Sequence, residues 1–242
     1  MTHEILQLMQ KLKLSGMRAA FEGMVQAKNS HTISNDEFIN ILLQSEIEDR
    51  ENKKLSRRLQ NARFRYRASM EEIDYVTPRG IDKTLLLRLS DASFIKKPEN
   101  IIITGATGVG KSFIATAIGH QACLMGYRVA YFGAQKLFTM LRISKADESY
   151  LKEIRQIEKQ DLLIIDDFGM QVLDQNTRMM LMEIIEDRHI DKSTIIASQI
   201  PVDKWHEIIG ENTIADAILD RLVHTSHRID LKGESLRKKK NK

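Results

Sequence analysis

Eight consecutive residues, Gly105-Ala106-Thr107-Gly108-Val109-Gly110-Lys111-Ser112, have the types and spacing that hold a chain of phosphates. Gly105, Gly108 and Gly110 let the backbone take positive φ and come close to an anion. Amides of the turn, and of a helix beginning at its end, then point at the phosphates with the helix dipole behind them. Lys111 is long enough to reach β and γ oxygens, and the Ser112 hydroxyl is a hard oxygen ligand of the kind Mg²⁺ takes. The plainer reading is a glycine-rich turn between a strand and a helix. Average residue frequencies give such a match by chance in roughly 1% of chains this long, so a nucleoside triphosphate is the better expectation. Two further polar pairs follow downstream. Asp166-Asp167 offers carboxylates to Mg²⁺ and to an attacking water, and Ser198-Gln199 offers groups that can sense a γ-phosphate.

Each pair stands at the end of an apolar run, and the runs are the elements that must bring them together. Ile101-Ile102-Ile103 leads into the glycine-rich turn, and Phe113, Ile114, Ala117, Ile118 and Ala122 recur at helical spacing after it. Leu162-Leu163-Ile164-Ile165 leads into Asp166, and Thr194-Ile195-Ile196-Ala197 leads into Ser198. Three buried parallel strands ending at one carboxyl edge would collect all these groups in one crevice. The expectation is an α/β fold, a three-layer parallel sheet. Residues 129–132 and 227–231 read as further strands. Residues 136–143, 150–159 and 174–189 read as helices, the last with Met179, Met180, Ile184 and Ile185 inward. Pro201 opens a helix carrying Trp205, and Ile214, Ala217, Ile218 and Leu222 line the next.

Ahead of the sheet, residues 1–80 read as a helical module and 81–242 as the α/β domain. Ile5, Met9 and Leu12, then Met17, Phe21 and Met24, keep helical spacing, and Ser34 with Glu37 forms a capping box. The helix after it could run through Leu55 and Leu59 toward Tyr66, and Asp82 could cap a short helix over Leu85–Leu89. Within it lies a basic run: Arg50, Lys53, Lys54, Arg57, Arg58, Arg63, Arg65 and Arg67, opposed inside it only by Glu51. The alternative is a solvated helix face. Like charges at these spacings repel unless a polyanion neutralises them, so a nucleic-acid backbone is the expected partner. A second basic group, from Lys232 through Arg237 to Lys242, reads as a frayed tail.

The 242 residues are 29% charged and 42% hydrophobic with net charge +4, a globular composition. No apolar run approaches the roughly 20 residues of a membrane span, and no signal-peptide core is legible at the start. Cys123 is the single cysteine, so no intrachain disulfide can form, and a cytoplasmic setting is expected.

Taken together, these motifs resemble the AAA+ P-loop ATPases of the helicase-loader branch, and more closely the IstB-like helpers of insertion-sequence transposition. The resemblance rests on residues 105–112, on Leu162-Leu163-Ile164-Ile165-Asp166-Asp167-Phe168-Gly169, and on Ala197-Ser198-Gln199-Ile200-Pro201-Val202 before Trp205-His206. Ala217-Ile218-Leu219-Asp220-Arg221-Leu222 and Gly233-Glu234-Ser235-Leu236-Arg237 complete it. What it implies is an ATPase that binds ATP and Mg²⁺ through residues 105–113, Phe113 included, and that self-associates on duplex DNA as a ring or spiral. A transposase would be its protein partner. Ser112 and Asp166 would hold the metal, with Lys111, Asp167, Gln199 and Arg221 catalytic. Arg221 would be the arginine finger reaching a neighbour's site, or in the plainer reading a surface ion pair with Asp220 or Asp216. Gln199 would be sensor 1, with Ser198 the fallback, and Arg237 sensor 2. Two departures stand out: Asp167 replaces the usual Glu, and little chain follows Leu231 to build a lid. A helicase loader on single-stranded DNA and a nucleotide-gated scaffold with negligible turnover are the alternatives.

Overall fold

The structure is a computed structural model and describes residues 2–27 and 34–236. Two compact units divide at Arg57/Arg58.

The first unit is helical: α1 (Thr2–Lys11), α2 (Ser15–Gln26) and most of α3 (Asn35–Ala62). Gly16 lets α2 meet α3, since a Cβ there would lie 2.2 Å from the Ser45 carbonyl oxygen. Glu46, buried on α3, accepts from the Gly16 and Met17 amides at 2.8 and 3.1 Å, capping the first turn of α2 from outside. Phe21 meets Phe38 edge to face, 6.2 Å between centroids. The Ser34 hydroxyl accepts from the Glu37 amide at 3.2 Å, as the capping sequence requires.

The second unit begins inside α3. That helix stops at Ala62, short of Tyr66, because Arg63 takes the left-handed conformation (φ +55°) that ends helices. The expected boundary near residue 80 thus differs from the one observed, and burial explains why. Ala62, Ala68 and Ile73 are buried with the α/β unit, and Phe64 packs edge-on to Tyr131 at 6.3 Å. A short 3₁₀ turn, Met70–Glu72, carries a Ser69/Glu72 capping box. Then come α4 (Lys83–Leu89), capped by Asp82 accepting from the Thr84 and Leu85 amides, and α5 (Ser93–Lys96).

From there strands and helices alternate: β1 (Asn100–Gly105), α6 (Lys111–Leu124), β2 (Val129–Gly133), α7 (Ala134–Ala146), α8 (Tyr150–Glu158) and β3 (Leu162–Phe168). After them come α9 (Gln175–Arg188), β4 (Ser193–Ser198), α10 (Trp205–Ile209), α11 (Asn212–Val223) and β5 (Ser226–Leu231). The five strands form one parallel sheet in the order β2-β3-β4-β1-β5. Ile101–Ile103, Leu162–Ile165 and Ile195–Ala197 are at most 1% exposed, the signature of strands covered by helices on both faces. Each such isoleucine contributes ~1.5–3 kcal/mol of apolar burial. Trp205 is fully buried, 4.9 Å from Phe168 between centroids, and its indole N–H donates to the Ile200 carbonyl at 2.9 Å. On α9, Met180, Ile184 and Ile185 face inward as expected, but Met179 is half exposed and points away from the core. Pro201 opens a 3₁₀ turn that leads into α10, which carries Trp205 as expected. Cys123 is buried, and burial pushes its thiol up to about 12. Among the described residues no helix is long and apolar enough to cross a membrane.

Candidate active site

β1 lies between β4 and β5, so the chain leaving it enters the crevice where the connections switch sides of the sheet. The glycine-rich turn sits there, and three of its glycines are where only glycine fits. Gly105, Gly108 and Gly110 have φ of +145°, +83° and +108°. A Cβ at Gly105 would lie 2.3 Å from the Leu231 carbonyl oxygen, and one at Gly108 would lie 2.1 Å from Ser235 Oγ. The first amides of α6, which starts at Lys111 at the end of the turn, have no carbonyl of the helix before them to bond. Lys111, 5% exposed, donates to the Ala106 carbonyl at 2.9 Å. A buried ammonium beside a ring of amides is a donor set for an anion, and it fits a triphosphate.

The turn opens on a cleft of about 1150 Å³ lined by Thr107, Lys111, Ser112, Phe113, Asp167 and Gln199, among others. Three strand ends expected to converge do so. Thr107 Oγ1 donates to Gln199 Oε1 at 2.6 Å. Ser198 is committed elsewhere: its hydroxyl donates to the Phe168 carbonyl at 2.8 Å and accepts from the Ile200 amide at 3.0 Å. Gln199, not Ser198, is the polar group offered to the cleft.

The two aspartates differ. Asp166 is fully buried; its carboxylate accepts from the Tyr131 hydroxyl and, at 2.9 Å, from the Asp167 amide. Burial, then the Asp166 carboxylate, raises the Tyr131 phenol above its ordinary value, so it stays a donor. Asp167 takes φ +56°, and the β3–β4 register shifts between Ile165 and Phe168, which turns its side chain into the cleft. There it meets Arg65 at 3.0 Å. Ser112 and Asp167 line the same cleft and carry hard oxygens of the kind Mg²⁺ takes, whereas Asp166 lies buried behind it.

The basic run is not one face. Arg50 pairs with Glu46 at 2.8 Å, Lys53 with Asp49 at 2.6 Å, and Lys54 with Glu51 at 2.8 Å. Arg58 lies 3.7 Å from where a Cβ of Gly126 would be. Arg63, Arg65 and Tyr66 line the nucleotide cleft. Arg57, Arg63 and Arg67 are exposed and have no ion pair among the described residues.

Arg221 stands at the other end of the sheet. Its carbonyl accepts from the side chain of Asn100, the first residue of β1, at 3.0 Å. The five steps from Asn100 to Gly105 place the phosphate turn ~16 Å away at ~3.3 Å per residue. Arg221 Nε lies 2.8 Å from Glu186 Oε2, so its ion pair is with neither Asp220 nor Asp216. Asp216 instead faces His206 at 3.3 Å. Lys232, the first of the second basic group, is described and its amide donates to the Arg79 carbonyl at 2.8 Å, while Arg237 and the residues after it lie outside the described residues. The chain leading to them runs past the turn, where the Leu236 amide donates to the Gly108 carbonyl at 3.0 Å.

Two residues of this site escaped the sequence. Arg79, 4% exposed, donates to the Val109 carbonyl at 3.0 Å and braces the phosphate turn from behind. It sits in Thr77-Pro78-Arg79-Gly80, whose Pro and Gly read locally as a turn, and a guanidinium between them was the available signal. Tyr131 gave none, being one apolar position of a short strand.

The family pattern of the IstB-like ATP binding proteins matches residues 7–242, spanning both units. The chain belongs to this family. It is 42% identical to an insertion sequence ATP-binding protein of Sinorhizobium fredii over 238 residues, 98% of this chain and 97% of that one. Among solved structures it resembles DnaI, with TM-score 0.56 and 21% identity over 69% of this chain and 92% of DnaI. It also resembles the DnaC helicase loader, with TM-score 0.53 and 19% identity over 73% of this chain and 99% of that one. At those identities the likeness is one of fold.

Proposed function

We propose that this IstB-like protein binds and hydrolyses ATP with Mg²⁺, assembles with further copies on duplex DNA, and serves a transposase without doing strand transfer itself. The observation that carries the reading is the convergence of residues 105–112, Asp167 and Gln199 on one cleft, in a chain whose relative is named for an insertion sequence.

Each residue has a part that its position supports. The turn amides and Lys111 hold the phosphates and offset their charge. Ser112 and Asp166 would hold Mg²⁺, which would offset the negative charge of the phosphates; Asp166 would exchange its bond from Tyr131 for that role. Asp167 orients the attacking water and accepts its proton. Gln199 leaves Thr107 for the γ-phosphate or the water. Arg221 is too far from its own turn to act there, so its role in hydrolysis would be on a neighbouring copy, at the cost of its pair with Glu186. The exposed basic residues of the run without ion pairs, Arg57, Arg63 and Arg67, are the first candidates for binding DNA phosphates. Arg237, from its place in the motif, would act on the nucleotide as sensor 2. A cytoplasmic setting belongs to this reading.

Steady-state ATP turnover with and without duplex DNA tests it. Turnover above a Lys111→Ala control, raised by DNA, is the expected result. None above that control would leave a nucleotide-gated scaffold. The shared fold with a helicase loader supports a second reading, which pull-downs with a transposase and with a replicative helicase separate.

A further inference from the structure

Arg65 is the group most directly opposed to the chemistry proposed for the cleft. α3 ends at Ala62, and the connection that follows is anchored at two points and exposed between them. Phe64 packs on Tyr131 and Ala68 is buried, which pins the connection to the α/β unit. Arg63, Arg65 and Arg67 remain exposed around those anchors. Arg65 NH1 reaches Asp167 Oδ2 at 3.0 Å, and its guanidinium lies 5.4 Å from the Tyr66 ring centroid. An Asp167 carboxylate that accepts from a guanidinium has fewer lone pairs left to orient a water. The side chains are 52% and 40% exposed, so the pair is one that solvent and salt already weaken. A strong buried clamp could not be displaced; this one can.

We propose that Arg65 is a releasable restraint on Asp167: it holds the carboxylate away from catalysis until a polyanion takes the guanidinium. Duplex DNA is the polyanion meant, with Arg63 and Arg67 on either side reaching the phosphates first. DNA then raises turnover by freeing a residue of the cleft, in addition to any effect on assembly. This rests on the reading of Asp167 as the group that orients water.

The test is steady-state ATP turnover by the full chain, with and without duplex DNA, in wild type, Arg65→Ala, Arg65→Gln and Arg65→Lys, with Asp167→Asn alongside. Exposed ion pairs of this kind set populations by factors of about 2–5. Arg65→Ala and Arg65→Gln should raise the DNA-free rate about 2–5-fold and shrink the stimulation by DNA by the same factor. Arg65→Lys, which keeps a cation within reach, should stay near wild type in both. A purely structural role would not alter the ratio with and without DNA in this direction. A DNA-free rate unchanged or lowered in both Arg65→Ala and Arg65→Gln, with Asp167→Asn inactive, would overturn the restraint and leave the site reading intact. Wild-type turnover by Asp167→Asn would overturn both.

Discussion

Thr107 Oγ1 donates to Gln199 Oε1 across 2.6 Å, tying the phosphate turn after β1 to the residue that follows β4. The bond joins neighbouring strands at their carboxyl ends, where Thr104 pairs with Ser198 in the register. In the proposed function a nucleotide entering the turn would meet both partners, and Gln199 would report whether a γ-phosphate is present.

Gln199→Ala should therefore lower kcat while leaving the ATP dissociation constant within a few-fold of wild type. Removing one polar group that meets transition-state charge typically costs ~10²-fold or more in rate. Ser198→Ala should act on stability instead, since its hydroxyl bonds only backbone groups. Parallel measurements of kcat, ATP affinity and Tm on the two variants check the division of labour. Equal loss of ATP affinity in both would contradict it.

Acid sensitivity should trace in part to Asp161. Burial works against its ionisation, but the Arg128 guanidinium and amide, together with Lys192, outweigh that and hold its carboxyl at about 2. The folded value lies below the ~3.9 of an unfolded chain. Its stabilisation is therefore fully present above about pH 4 and is lost as pH falls toward 2. After solvent screening that is ~1–2 kcal/mol at neutral pH. Asp161→Asn should lower Tm at pH 7, and the gap from wild type should narrow at pH 3. A gap of equal size at both would rule the ion pairs out as its source.

Arg221 gives a test of assembly. Because ~16 Å of strand separates it from the turn of its own chain, Arg221→Ala and Lys111→Ala should each be inactive alone and partly active when mixed. Each mixed interface can combine an intact turn with an intact Arg221. No recovery at any ratio, with both variants still associating by light scattering, would return Arg221 to its pair with Glu186.

The basic run should divide by neighbour rather than by sequence. Arg57→Glu and Arg67→Glu should weaken duplex binding and flatten its dependence on salt, by ~0.9 in slope for each phosphate no longer neutralised. Arg50→Glu and Lys53→Glu would set like charges against Glu46 and Asp49 and should lower Tm first. An unchanged salt slope in Arg57→Glu and Arg67→Glu would make those two residues merely solvated.

What could be read from the amino acids alone is what local rules govern. The turn from Gly105 to Ser112 announces itself because backbone geometry demands those residue types in that order, and Ile101–Ile103 and Leu162–Ile165 announce strands because both faces are buried. The caps at Ser34, Asp82 and Asp174 are likewise local. Arg65 against Asp167, Arg79 against Val109 and Tyr131 against Asp166 join residues at least 30 positions apart, and no spacing rule reaches across such a loop. The end of the basic run was illegible for a related reason. Helical spacing carries the helix on toward Tyr66, whereas Arg63 takes the left-handed conformation that ends α3, and Arg63 and Arg65 line the cleft.

The central claim is that the cleft has a binding half at residues 105–112 and a hydrolytic half at Asp167. ATP affinity and ATP turnover, measured side by side in wild type, Lys111→Ala and Asp167→Asn, test it most directly. Lys111→Ala should lose both binding and turnover. Asp167→Asn should keep binding within a few-fold and lose turnover by ~10²-fold or more. Unimpaired turnover in Asp167→Asn, or unimpaired ATP binding in Lys111→Ala, would contradict the account.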